Sequence, residues 1–174
     1  EGGLVDPYKE GLRNIWRVRK YNLDDLYVRF LRIAERRIAE TTRRGIVCYI
    51  TNFSYLAYRS FVVMRQRFVQ SFDEIWIDSL NGDSRQTGKL TPDGRPDPSV
   101  FSTPSNPEGI QVGAAIALMV RRDDGPKAAK VQFRHFWGAS KRADLLATLD
   151  LESKAFEATY QAAQPSPENR YTLL

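Results

Sequence analysis

The chain has 174 residues, enough for one domain with a sizeable core, and its 42% apolar and 27% charged content excludes wholesale disorder. One cysteine excludes a disulfide scaffold, one histidine beside it leaves too little for a Cys/His zinc site, and no apolar run approaches a membrane span. A net charge of +5, carried mostly by arginine, favours a polyanionic partner.

The first residue is Glu1 rather than Met and no charged-then-apolar leader follows, so the sequence is expected to be a piece of something larger. Asp6-Pro7 reads as a helix start running to Lys20. Asn22 is expected to cap a longer helix ending near Thr41, with Leu23, Leu26, Tyr27, Phe30, Ile33, Ala34 and Ile38 as its buried stripe. Gly45 opens Ile46-Val47-Cys48-Tyr49-Ile50, a continuous apolar run that predicts a strand buried on both faces, and Thr51-Asn52-Phe53-Ser54 is its polar exit. A helix over 59–71 follows, then a strand at Glu74-Ile75-Trp76-Ile77-Asp78. Residues 81–109 hold five of the nine prolines and four glycines, a loop far longer than a simple connection needs. Strands are predicted at 110–120 and 131–135, separated by a turn at Asp123-Asp124-Gly125-Pro126. Ser140 caps a helix to Leu149, a further helix covers 152–163, and Pro165 and Pro167 begin a tail. The order predicts an α/β fold with a parallel start and antiparallel strands after Trp76, half of a doubly wound domain.

The chemistry-bearing residues are few. There is no Gly-rich turn between a strand and a helix and no Walker-type lysine, so no cofactor site can be argued from the chain itself. His135, beside Phe133 and Phe136, reads as a structural histidine rather than a general base. Cys48, inside the most apolar strand, reads as a packing residue. Asp73, Glu74 and Asp78 read as helix-end and solvent-face charges rather than a paired-carboxylate site. Three arginine clusters, at 13–20, 29–44 and 59–67, read as solvated helix faces pairing with Glu35 and Glu40; the alternative is contact with a phosphate backbone. In the long loop, Arg85, Lys89 and Arg95 precede Asp97-Pro98-Ser99-Val100-Phe101, whose aromatic reads from composition as an anchor of the loop to the core; the alternative is stacking on an unpaired base.

These segments, taken in order, resemble one family. Gly45 through Leu56 is similar to the segment after the catalytic tetrapeptide of adenine-specific DNA methyltransferases, above all the fused restriction–modification enzymes of type ISP and type IIG. Met64-Arg65 through Phe72-Asp73-Glu74-Ile75-Trp76-Ile77 resembles their next helix and strand. Leu80-Asn81-Gly82-Asp83-Ser84-Arg85 and Asp97 to Phe101 resemble their following loop, and Gly109 to Ile116 the strand beyond it. Asn22 to Phe30 is similar to the helix before all of these, so the likeness covers about residues 5–140. The Asn/Asp-Pro-Pro-Tyr/Phe tetrapeptide and the Gly-containing turn for S-adenosylmethionine do not occur here.

The resemblance implies a partial Rossmann-like, S-adenosylmethionine-dependent methyltransferase fold, with residues 1–138 as the C-terminal half of that domain and 139–174 as a helical extension and tail. It implies a parent that methylates adenine at specific DNA sites in a restriction–modification system, and a fragment that is inactive alone. Phe101 matches the aromatic that stacks on the flipped base. Asn52 would line the target pocket, and Arg85 and Lys89 would contact the DNA backbone. The implied partners are double-stranded DNA with a flipped adenine, the remaining half of the domain and a second copy of the fragment, in the cytoplasm and without a membrane. The alternative is a non-catalytic nucleic-acid-binding or scaffold module derived from the same fold.

Overall fold

The computed structural model describes residues 3–122 and 129–174; the turn expected at Asp123 to Pro126 lies outside the described residues. Among the described residues five strands form one sheet in the order β1-β3-β2-β4-β5. They are β1 (Gly45–Asn52), β2 (Glu74–Asn81), β3 (Ala114–Arg121), β4 (Lys130–His135) and β5 (Gln161–Ala162). β3 is inserted between β1 and β2 and is antiparallel to both, so β1 and β2 share a direction without touching. β4 is parallel to β2, which corrects the expectation that every strand after Trp76 would be antiparallel. The helices are α1 (Leu26–Glu35), α2 (Val62–Ser71), α3 (Lys141–Ala147) and α4 (Ser153–Ala158).

The first expected helix is not formed. A 3-10 turn at Asp6–Tyr8 is followed by turns in which Gly11 and Arg17 take positive φ values of 72° and 56°. Two residues in the left-handed region break any helical run. α1 begins after Asp25 rather than Asn22 and continues as a π-helix over Arg36–Thr42. Its expected stripe is also corrected: Leu26, Phe30 and Ile33 are 70%, 55% and 50% exposed, while Val28, Leu31, Arg32 and Glu35 are buried. The reason is a buried charge network. The Glu35 carboxylate accepts from Tyr8 Oη at 2.7 Å, Arg32 Nη1 at 3.1 Å and Arg67 Nε at 2.9 Å. Glu40 takes Arg32 and Arg67 at 2.7 and 3.0 Å, closing the network. Satisfied charges can face a core, and periodicity of apolar residues does not register them.

One sheet face is the core. Val47 of β1, Ala115, Ala117 and Met119 of β3, Ile75 and Ile77 of β2 and Val131 of β4 pack with Val28 and Leu31 of α1 and Met64 and Phe68 of α2. The other face carries Ile46, Cys48 and Ile50 of β1, Ile116 and Leu118 of β3, and Trp76 and Asp78 of β2, by the register of the ladders. Cys48 is exposed, contrary to its expected burial, and Ile46 and Ile50 are 64% and 50% exposed. β1 is the edge strand, and of its apolar run only the face carrying Val47 enters the core. Cys48, Trp76 and Leu118 line an open groove of about 430 Å³ with Phe156 and Tyr160 of the C-terminal segment.

The C-terminal segment is held by buried charge. Arg134 of β4 donates to both Asp78 oxygens at 2.6 and 3.3 Å, to Thr159 Oγ1 at 2.7 Å and to Thr148 Oγ1 at 3.3 Å. Its guanidinium also lies 4.9, 4.9 and 4.2 Å from the ring centres of Phe136, Phe156 and Tyr160. Asp78 is thus a buried ion-pair partner and not the solvent-face charge expected. α4 is shorter than the helix expected over 152–163, because the chain turns at Tyr160 to add β5 to the sheet edge. The tail after Pro165 is docked. Leu173 is fully buried, and its N–H donates to Leu56 O at 3.1 Å. Arg65, itself buried, donates to the carbonyls of Tyr55, Tyr58, Arg170 and Tyr171. Burial brings its guanidinium down to about 10, so it stays charged at neutral pH.

Candidate nucleic-acid interface

The co-directional strands β1 and β2 end on the same side of the sheet, and both last residues, Asn52 and Asn81, pair with Ala114 at the start of β3. At strand spacing this sets the two ends about 10 Å apart. Phe53 secures the corner. Its N–H donates to Gly113 O at 3.0 Å, and its ring packs so close to Gly113 that a Cβ there would meet it at 2.7 Å and push it aside. Asn52 is partly exposed here, and its side chain accepts from Ser54 N at 2.8 Å, capping the 3-10 turn that leaves β1. Tyr58 joins the corner with its ring 6.4 Å from Phe53. Burial and the nearby Asp83 carboxylate push its hydroxyl pKa up.

The long loop rises from the end of β2 and is tied down by two buried aspartates that the sequence reading did not single out. Asp83, 2% exposed, accepts from Arg85 N at 2.8 Å, Gln86 N at 2.6 Å and Gly113 N at 3.1 Å. Asp97, fully buried, accepts from Gly82 N and Gly138 N at 2.7 Å each and pairs with Lys141 Nζ at 2.6 Å. Beneath them Leu80, Ala114 and Phe136 form a second small core, with Val100, Ile116 and Leu145 against it.

The expected site residues fall into two groups on this frame. Asn52 and Arg85 lie near the start of β3, since Arg85 N is bonded to the Asp83 that also holds Gly113; the Arg85 side chain is exposed. Phe101 sits on a turn further along the loop, 46% exposed, while its neighbour Val100 points inward to the small core. The Lys89 amine folds back onto Glu108, at 3.1 Å from its carboxylate and in contact with its carbonyl, with 16% of the side chain exposed. His135 lies at the end of β4, its ring stacked on Trp137 at 5.7 Å and its Nδ1 3.4 Å from Asn81 Nδ2. Burial lowers its pKa.

A signal for Asp97 exists in the sequence: it stands between two prolines in a loop whose glycines must approach something closely. Lys141 has no local signal, since its partner is 44 residues away in the chain.

Among the described residues, the two strand-to-helix connections offer few free backbone amides. The β1–α2 connection, residues 53–61, contains no glycine. The β4–α3 turn has Gly138 at φ +78°, but its amide is already taken by Asp97. Among the described residues no group of His, Cys, Asp and Glu could hold a metal ion, and no helix is long and apolar enough to cross a membrane.

The fold and the loop define a class: a mixed α/β sheet whose co-directional strands end beneath a polar, aromatic-bearing loop, where α/β folds place their ligands. No protein-family model matches the chain, and no curated protein matches it. Solved structures do. DrdV in complex with DNA is 27% identical, over 88% of this chain and 14% of that one, with a TM-score of 0.65. The ATP-dependent Type ISP restriction–modification enzyme LlaBIII bound to DNA gives 18%, 95%, 11% and 0.69. A nuclease-deletion mutant of the Type ISP enzyme LlaGI with a DNA substrate mimic gives 18%, 97%, 15% and 0.67. The chain therefore shares its fold with one region of these proteins solved with DNA, two of them Type ISP restriction–modification enzymes, and spans 11–15% of their length.

Proposed function

We propose that the chain is the target-base side of an adenine-specific DNA methyltransferase domain from a restriction–modification enzyme. Phe101 stacks on an adenine turned out of the duplex, Asn52 lines the pocket, and Arg85 contacts the backbone. Lys89 can join it only by leaving Glu108, whose carboxylate and carbonyl both hold its amine. A base must leave the stack before its amino group can be reached, and an aromatic face compensates for the lost stacking. The residues present do not hold the methyl donor, so this chain binds and orients the base and the remaining half of the domain completes the site. The observation that supports the reading is Phe101, 46% exposed on a turn held from below by buried Ser99, which accepts from its N–H, and by Val100, which packs against the small core.

The edge of β1, unpaired among the described residues, with Ile46 and Ile50 exposed beside it and Leu26, Phe30 and Ile33 exposed on α1, supports the remaining half as partner. The reading is tested with a duplex carrying 2-aminopurine opposite an abasic site, a base already free to leave the stack. Binding should quench its fluorescence, and Phe101→Ala should weaken binding by about 5- to 150-fold, the equivalent of one base–aromatic stack. Equal affinity and quenching by the variant would refute it. The second reading is a non-catalytic nucleic-acid-binding module derived from the same fold. It predicts the same binding but no adenine methylation by any assembly containing the chain.

A further inference from the structure

We propose that the buried Asp97–Lys141 pair is the positioning device of the base-binding loop: it fixes the turn that carries Phe101, and so the place at which the ring meets an unpaired base. The inference rests on the stacking role of Phe101. Asp97 is fully buried and Lys141 is 2% exposed. The Asp97 carboxylate takes Gly82 N, Gly138 N and Lys141 Nζ, and the same Nζ donates to Leu80 O at 2.8 Å. Four segments meet at this one pair: the end of β2, the long loop, the turn after β4 and the start of α3.

Phe101 follows four residues after Asp97, and the chain between them has little freedom. Pro98 fixes its own φ. Ser99 Oγ accepts from Phe101 N at 3.2 Å, and Ser99 O accepts from Ser102 N at 3.0 Å. Gly82, at φ +77°, lies so close beneath that a Cβ there would meet Pro98 O and Ser99 Cα at 3.0 Å. Gly109, at φ +57°, closes the other side, where a Cβ would meet Ser99 Cβ at 2.8 Å and Ser102 N at 2.9 Å. The turn is thus clasped between two glycines and anchored through Asp97. A buried ion pair adds little stability over an apolar packing of the same shape. What it supplies here is geometry, since one carboxylate selects a single arrangement of three donors. A binding ring held in place before the base arrives loses less entropy on binding.

The test has two arms. In the first, 4-fluorophenylalanine is placed at position 101 alone and its fluorine resonance is recorded without DNA. Lys141→Met should move or broaden that line, and Lys141→Arg, which keeps the charge, should return it toward the starting position. An unmoved line in Lys141→Met overturns the proposal. In the second, affinity for the 2-aminopurine duplex is measured in a double-mutant cycle. Lys141→Met should weaken binding by about fivefold or more in the Phe101 protein, and should cost nothing further once Phe101→Ala is present. Equal losses in both backgrounds would mark a merely structural pair and overturn it. Should Phe101→Ala leave affinity unchanged, the stacking role fails and the fluorine line alone decides the lock. Should Lys141→Met fail to fold, the isosteric Asp97→Asn carries both arms with the same expected outcomes.

Discussion

Replacing Arg134 by Met should unfold this protein far more readily than loss of a surface charge would. The guanidinium is 6% exposed and makes four hydrogen bonds, two of them to Asp78, which is itself 12% exposed at its side chain. The substitution keeps most of the volume but strands the Asp78 carboxylate beneath Tyr160 and Phe156. Breaking a buried pair from one side costs about 3–5 kcal/mol, because an uncompensated charge remains. In a chain of this length each kcal/mol moves the midpoint by about 2–4 °C, so thermal unfolding followed by circular dichroism should fall by about 6–20 °C. The double variant Arg134→Met with Asp78→Leu should regain most of the loss, since an apolar replacement of both partners removes the stranded charge. A loss below about 1 kcal/mol for the single variant, or a double variant no better than it, would refute the assignment of this pair as the bolt between the sheet and the C-terminal segment.

Other consequences are open to measurement. Leu173→Ala should cost about 2–5 kcal/mol in urea unfolding, as for a buried leucine of the core; a loss under about 0.5 kcal/mol, the range of surface changes, would mean the tail is not docked. His135 has its pKa held below the ordinary value of about 6.5 by burial, so the unfolded chain takes up its proton first as pH falls. Its contribution to stability is therefore full above about pH 6.5 and declines below it toward the lowered folded value. His135→Asn should flatten that part of the stability profile, and an unchanged slope would show that burial does not disfavour the charged ring. The open β1 edge predicts self-association of the separate chain, seen in sedimentation velocity as a mass that rises with concentration. A single species at monomer mass over a wide concentration range would contradict this.

Much of the fold could be read from local patterns. The strand at Glu74, the strand at Val131 and the helix before Phe72 were legible because their apolar residues recur at strand or helix period and turn residues bound them. The edge position of β1 was not legible. A run such as Ile46-Val47-Cys48-Tyr49-Ile50 reads alike whether a central strand buries it twice or an edge strand once, and the insertion of β3 beside it is a long-range event. The buried face of α1 was misread because Arg32 and Glu35 are charged, and their partners Tyr8 and Arg67 lie 27 and 32 residues from Glu35. At the candidate site the loop announced itself by composition, and Phe101 by its place beside proline and basic residues. Of the groups that hold it, Asp97 alone has a local signal, between two prolines; Gly138 and Lys141 meet it only after β4 has joined the sheet.

The central claim is that Phe101 is presented to a flipped adenine by a loop that this fold holds ready. Methyl transfer to adenine, measured on the intact parent protein with wild-type and Phe101→Ala sequences of equal thermal midpoint, tests it most directly. The account predicts a fall in kcat/KM of about 5- to 150-fold, the loss of one base–aromatic stack. Equal kcat/KM for the two proteins would contradict it.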